Sequence, residues 1–119
     1  MMDKNAVRKI GQMLLVVVPP DLTDSDIIEL RREAVKSARK YASTWVLLDF
    51  SEVQICDSYF GRFIHSMSQM AQLVGAEAIV CGLSDAVVET LVDMGLWLEG
   101  VRVTLDVDSA LALTTKAKK

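Results

Sequence analysis

One short stretch of this sequence sets three side chains capable of chemistry next to one another. Ile55-Cys56-Asp57-Ser58-Tyr59-Phe60-Gly61 holds a thiol, a carboxylate and a hydroxyl on three consecutive residues. The single histidine, His65, follows Ser58 by seven residues. On a helix that spacing puts both on similar sides but two turns apart, roughly 10 Å along the axis at ~1.5 Å per residue. A nucleophile and its base need contact at ~2.6–3.2 Å, so the two form no dyad within one copy of the chain. No glycine-rich phosphate cradle, zinc spacing or kinase motif occurs. A phosphoacceptor role for Asp57 would need an acidic pair after the first main strand to hold magnesium. Val18-Pro19-Pro20-Asp21 offers one carboxylate beside two prolines, a poor metal site. The reading is a non-enzyme with no metal and no cofactor, in which His65 is a surface or interface histidine.

What Ser58 can do is accept a modification. Asp57 and Ser58 both suit the N-cap of the helix that starts here. Phosphorylation would add a charge of about −1.5 to −2 and three acceptor oxygens. The unpaired N–H groups and dipole of a helix start tolerate an anion, so the fold would survive. A partner docked over a nearly uncharged surface would not, because burying an unpaired anion costs several kcal/mol. The residues alone leave two readings of Ser58, a plain N-cap and a switch that binds when unmodified and releases when phosphorylated.

The elements that position this stretch are legible from periodicity. Residues 45–50, Trp45-Val46-Leu47-Leu48-Asp49-Phe50, are almost unbroken apolar chain, as in a strand buried on both faces. Phe60, Phe63, Ile64, Met67, Ala71 and Val74 then mark one face of a helix over 58–74, closed by Gly75. Its outward positions are Tyr59, Ser66, Ser68, Gln69 and Gln72, and Arg62 is its one formal charge. A sparsely charged face with aromatics and methionines resembles an interface core. The partner-binding set expected from it is Asp57, Ser58, Tyr59, Arg62, His65, Ser66 and Gln69.

The rest of the chain alternates strands and helices. Residues 7–10 suit an edge strand, Gly11-Gln12 a type II′ turn, and 13–18 a buried strand closed by Pro19-Pro20. Thr23 caps a first helix, with Asp26 completing a capping box. Ile27, Leu30, Ala34, Ala38 and Tyr41 form its buried stripe. Arg31, Arg32, Lys36, Arg39 and Lys40 invite a nucleic-acid reading, but Glu29 and Glu33 interrupt them and no aromatics interleave, so a solvated face is expected. Residues 76–81 read as a third main strand with Gly82 as its exit turn. Ser84 caps a helix that turns Val87, Val88, Leu91 and Val92 inward and ends at Gly95. Residues 101–105 alternate as an edge strand. Asp106 caps a last short helix through Ala110, Leu111 and Leu113, and Thr114 to Lys119, 116–119 in particular, are expected to fray as a polar tail.

The 119 residues suit one domain with no linker or repeat. Apolar residues make up 51%, enough for a core without disulfides, and Cys56 and Cys81 are expected as buried reduced thiols. A net charge of −3 argues against nucleic-acid binding. The longest early apolar run is far short of the ~20 residues that span a bilayer, so a soluble cytoplasmic protein without membrane partners is expected. Alternating strands and helices demand parallel pairing with crossovers.

Val46-Leu47-Leu48-Asp49-Phe50-Ser51-Glu52-Val53, followed by Ile55-Cys56-Asp57-Ser58, resembles the strand–loop–Asp-Ser motif of STAS domains. Gly75-Ala76, Cys81-Gly82-Leu83-Ser84 and Leu91-Val92-Asp93-Met94-Gly95-Leu96 fit the second half of the same family. The resemblance implies an α/β fold: a single STAS domain over residues 1–119, with a mixed, mostly parallel sheet of four to five strands and helices mainly on one side. Many anti-sigma-factor antagonists follow Asp-Ser with a small residue and then glycine. Here Tyr59-Phe60 intervene before Gly61, and with the bare domain length this looks like the RsbS-type scaffolds of the stressosome. That likeness implies phosphorylation of Ser58 by an RsbT-type serine/threonine switch kinase and resetting by an RsbX-type phosphatase. It also implies self-association in a large complex with RsbR-type STAS proteins. The alternatives are a free-standing antagonist that binds an anti-sigma factor, and a nucleotide or small-ligand module with its pocket near Pro20 and Asp57.

Overall fold

In the computed structural model, residues 6–20, 23–53, 58–93, 95 and 101–116 are described, with the backbone alone at 58–60, 115 and 116. The chain order is β1 (Val7–Ile10), β2 (Met13–Val17), α1 (Asp24–Lys40), β3 (Trp45–Asp49), α2 (Ser58–Leu73), β4 (Glu77–Cys81), α3 (Asp85–Asp93), β5 (Val101–Thr104) and α4 (Val107–Lys116). The five strands lie in the sheet in the order of the sequence. β1 and β2 pair antiparallel with Val7 opposite Val16, and the remaining three pairings are parallel. This is the mixed, mostly parallel sheet expected from the sequence.

The hairpin follows from one glycine. Gly11 has φ +59, whereas Gln12 is not among the positive-φ residues. That combination is the type II′ pattern, whose twist matches the flanking strands. Parallel neighbours in sequence order need crossovers of one hand, which put the connecting helices on one face. α1, α2 and α3 accordingly bury Ile27, Leu30, Ala34 and Ala38, Phe63, Ile64, Met67 and Ala71, and Val87 and Leu91 against Leu14, Val16, Val46, Leu48, Ala78 and Val80. The opposite face carries Met13, Trp45, Leu47, Ile79 and Cys81, and α4 covers it through Ala110. β3 is therefore sandwiched between helices, which is why its apolar run is unbroken.

The capping box of α1 forms as its sequence predicts. Asp26 N–H donates to Thr23 Oγ1 at 3.2 Å, and Thr23 N–H donates to Asp26 Oδ2 at 3.2 Å. The hydrogen bond from the Thr23 backbone holds the Asp26 carboxyl below its ordinary pKa. At α4, Ser109 N–H donates to Asp106 Oδ1 at 2.8 Å, and at α3, Val87 N–H donates to Ser84 Oγ at 3.2 Å.

Four expectations need correction. Tyr41 does not belong to the buried stripe of α1. It follows the last helical turn, lies exposed, and takes Lys9 and Lys40 over its ring at 5.6 and 5.4 Å. On α3, Val88 and Val92 point outward, Val92 with 70% exposure, because a nine-residue helix lying over a sheet buries one narrow stripe, here Val87 and Leu91. Ser68 is buried on α2 rather than outward. Thr114, the first residue of the expected frayed tail, is instead buried within α4 and donates its hydroxyl to Leu111 O at 3.0 Å. Lys116 still closes α4, so the expected frayed tail does not begin there; residues 117–119 lie outside the described residues.

Candidate functional site

The candidate site starts where β3 delivers the chain to α2, and that delivery is tightly fixed. Val18 N–H donates to Asp49 O, and Phe50 N–H donates to Cys81 O, both at 2.9 Å, so β3 is tied to both neighbours past its last ladder residue. Asp49 Oδ1 then accepts from Ser51 N–H at 2.9 Å, and Val53 N–H donates back to Phe50 O at 2.9 Å. Phe50 and Val53 are both buried and anchor the loop in the core.

Gly82, at the exit of β4, is the third part of this support. A Cβ there would sit 2.7 Å from Ser51 N and 2.9 Å from Asp49 Oδ1, and Gly82 has φ +75. Only glycine lets the two strand exits approach this closely. Gly82 N–H also donates to Leu105 O at 3.1 Å, which ties in the end of β5. Beside it the Cys81 thiol is pushed up to about 12, first by burial and then by the Asp49 carboxylate. Cys81 is therefore a free, protonated, unreactive core residue.

α2 begins at Ser58, where the sequence places the helix start. Asp57 and Cys56 lie outside the described residues, as do the side chains of Ser58 and Tyr59. Of the remaining expected partner-binding residues, Arg62, His65 and Gln69 are exposed, and their spacing of three and four puts them on one stripe of the helix. Traced back one turn, that stripe reaches position 58. Gln72 and Leu73 extend it towards the C-terminus, and Leu73 is 85% exposed. Among the described residues of this stripe Arg62 is the one formal charge.

Ser66 differs from its expected role. It is half-buried, and its Oγ accepts from Arg31 Nη1 of α1 at 3.1 Å. The bases of α1 are accordingly not a uniform solvated face, because Arg31 reaches across to α2. Sequence reasoning missed Arg31 because the bond joins residues 35 positions apart. The available signal was helical spacing: Arg31 shares a side of α1 with Ile28 and Val35, apolar residues outside the core stripe.

Chemically, the described residues offer no catalytic cluster. Ser58 and His65 stand seven residues apart on one continuous helix. Among the described residues there is no group of three or more His, Cys, Asp or Glu able to hold a metal, and no helix is long and apolar enough to cross a membrane. Of the small-ligand pocket expected near Pro20 and Asp57, Pro20 is exposed and Asp57 lies outside the described residues.

A sheet of this order, with three crossover helices on one face and a fourth on the other, is the fold of STAS domains, as found in stressosome proteins and anti-sigma-factor antagonists. RsbS of Moorella thermoacetica, in a form with a serine-to-glutamate substitution, superposes with a TM-score of 0.84 at 24% identity, over 96% of this chain and 99% of that one. A chain from the molecular architecture of the stressosome, described as a signal integration and transduction hub, gives a TM-score of 0.81 at 26% identity, over 95% and 99% of the two chains. The anti-sigma factor antagonist SpoIIAA in its unphosphorylated form gives 0.73 at 13% identity, over 92% and 95%. In sequence, the chain is 24% identical over 103 residues to the RsbT co-antagonist protein RsbRC of Bacillus subtilis strain 168. That match takes in 84% of this chain, and the chain spans 36% of the length of RsbRC. No protein-family model matches the chain.

Proposed function

We propose that this chain is a non-enzymatic stress-signalling scaffold. In its unmodified form it binds and sequesters an RsbT-type serine/threonine switch kinase, and phosphorylation of Ser58 releases that kinase. The observation that carries the reading is the α2 face: a helix that starts at Ser58 and presents Arg62, His65 and Gln69 with a single formal charge. Such a surface accommodates a neutral docking contact and opposes an added phosphate at its rim. The likeness to a stressosome chain at 26% identity, and to RsbRC, supports the choice of partner class. Within this reading the protein is cytoplasmic, self-associates in a large complex with RsbR-type STAS proteins, and is reset by an RsbX-type phosphatase. Asp57, Ser58, Tyr59, Arg62, His65, Ser66 and Gln69 form its partner-binding surface, with Ser66 contributing from its bond to Arg31.

The experiment is incubation with a switch kinase and ATP, followed by intact mass and mapping of the modified residue. One phosphate at Ser58, abolished by Ser58→Ala, supports the reading, and labelling elsewhere contradicts it. Sizing with RsbR-type partners separates a scaffold from a free-standing antagonist, since only the scaffold enters a particle of many copies. A thermal shift on adding GTP or ATP would favour the nucleotide-binding alternative instead.

A further inference from the structure

Basic residues of α1 line a groove. A concavity of about 500 Å³ between α1 and α2 is lined by the cations Arg31, Arg32, Lys36 and Arg39 together with the apolar side chains of Ile28 and Val35 of α1 and Met70 of α2. That volume falls in the range of ligand-accepting sites. At 100° per residue, Ile28, Arg32, Val35 and Arg39 cluster within about 60° of arc, and Glu29 and Glu33 lie about 60° and 100° beyond Arg32, past the flank that carries Lys36. Among the described residues no carboxylate lines the groove. A chain of net charge −3 thus concentrates four cations around one apolar trough. The residues from 28 to 39 span three turns, about 16 Å of helix axis.

We propose that this groove docks an acidic amphipathic helical segment of a partner protein. Apolar side chains of the segment, spaced i, i+3 or i+4 and i+7, fill the trough over Ile28, Val35 and Met70. Glutamates or aspartates on its flanks pair with the cations, among which Arg32 and Arg39 offer planar donors suited to carboxylates. Four cations of one sign also steer such a segment to the groove and disfavour basic competitors. A nucleic-acid backbone would pair with the cations but leave the apolar lining wet, and a flat lipid surface does not enter a concavity between two helices. Arg31 lines the groove with its guanidinium already directed at Ser66, so α1 and α2 are linked where the groove needs them at fixed separation. The inference does not rest on the Ser58 switch, and its test involves no kinase.

The test uses the full chain and a fluorescein-labelled synthetic 15-residue peptide with Leu at i, i+3, i+4 and i+7 and Glu on both flanks. Binding is followed by anisotropy and mapped by amide NMR shifts. Saturable binding that weakens with salt, with shifts centred on Ile28, Val35 and Met70, is expected. The double substitution Arg32→Glu with Arg39→Glu should weaken it about tenfold or more, whereas Arg8→Glu, an exposed base of β1 outside the groove, should not. Arg32 and Arg39 are exposed, so reversal leaves the core intact; should the double variant fold poorly, Arg32→Gln with Arg39→Gln should still cost about threefold. Equal binding of a scrambled or lysine-flanked peptide would overturn the proposal. So would shifts elsewhere, indifference to the substitutions, or no binding at all. Tighter binding of a single-stranded oligonucleotide or of phosphatidylserine vesicles at the same residues would also overturn it.

Discussion

Arg31 Nη1 donates to Ser66 Oγ at 3.1 Å, and this bond links the middle of α1 to the middle of α2. It joins the helix that carries the groove's cations to the helix that starts at Ser58, so the two surfaces hold one relative position. Removing the acceptor should cost about 1 kcal/mol. Ser66→Ala is therefore expected to lower the urea midpoint without changing the slope, and Arg31→Met to cost a similar amount. The double variant should lose little more than either single one, which a double-mutant cycle reads directly.

Gly82 is the position where the support of the candidate site is least tolerant. A methyl group there meets Ser51 N at 2.7 Å, which is backbone held by Asp49, and cannot turn away. The left-handed φ adds its own cost for any other residue. Gly82→Ala should destabilise by about 3 kcal/mol. It should also shift the amide resonances of Ser51 and Val53 more than those of β1, checked by chemical denaturation and NMR on the folded fraction.

Ala42 shows the opposite sign. It has φ +50 directly after the Tyr41 cap of α1, a place where helices commonly use glycine. Ala42→Gly removes the steric cost of a left-handed alanine, so denaturation should show a gain of up to about 1 kcal/mol, offset in part by greater freedom of the unfolded chain.

Cys81 should be silent towards alkylation in the folded protein. With its thiol pushed up to about 12, chiefly by burial, almost no thiolate exists at pH 8. Peptide mapping after iodoacetamide should find Cys81 unmodified until denaturant is added. The same shift fixes a pH dependence. The folded chain holds the proton more tightly than the unfolded chain, whose thiol has its ordinary value of 9.0. That stability is complete below about pH 9 and is lost as the pH rises from there towards 12. Cys81→Ala should flatten the alkaline limb of a stability–pH curve.

Much of the fold was legible because its signals are local. Thr23 and Asp26, Gly11 and Gln12, and the apolar run 45–50 each encode their structure within a few residues. The errors fall where packing decides. Val88 and Val92 are as apolar as Val87 and Leu91, and only the width of the contact between α3 and the sheet tells them apart. Thr114 looks like a tail residue until α4 lies across the sheet and buries it. The exposed face of α2 was legible from its scarcity of charge. The trough beside it was not, because its lining combines Ile28 and Val35 with Met70, more than thirty residues away in sequence. Likewise, nothing in the sequence near Ser51 signals that Gly82 must be glycine.

The central claim is that a negative charge at the start of α2 dismisses a partner that the unmodified helix holds. Titrating an RsbT-type switch kinase onto the unmodified chain and onto Ser58→Asp, at one salt concentration, tests it most directly. The account predicts saturable binding to the unmodified chain and a loss of about tenfold or more with Ser58→Asp. Equal affinity of the kinase for both chains would contradict it.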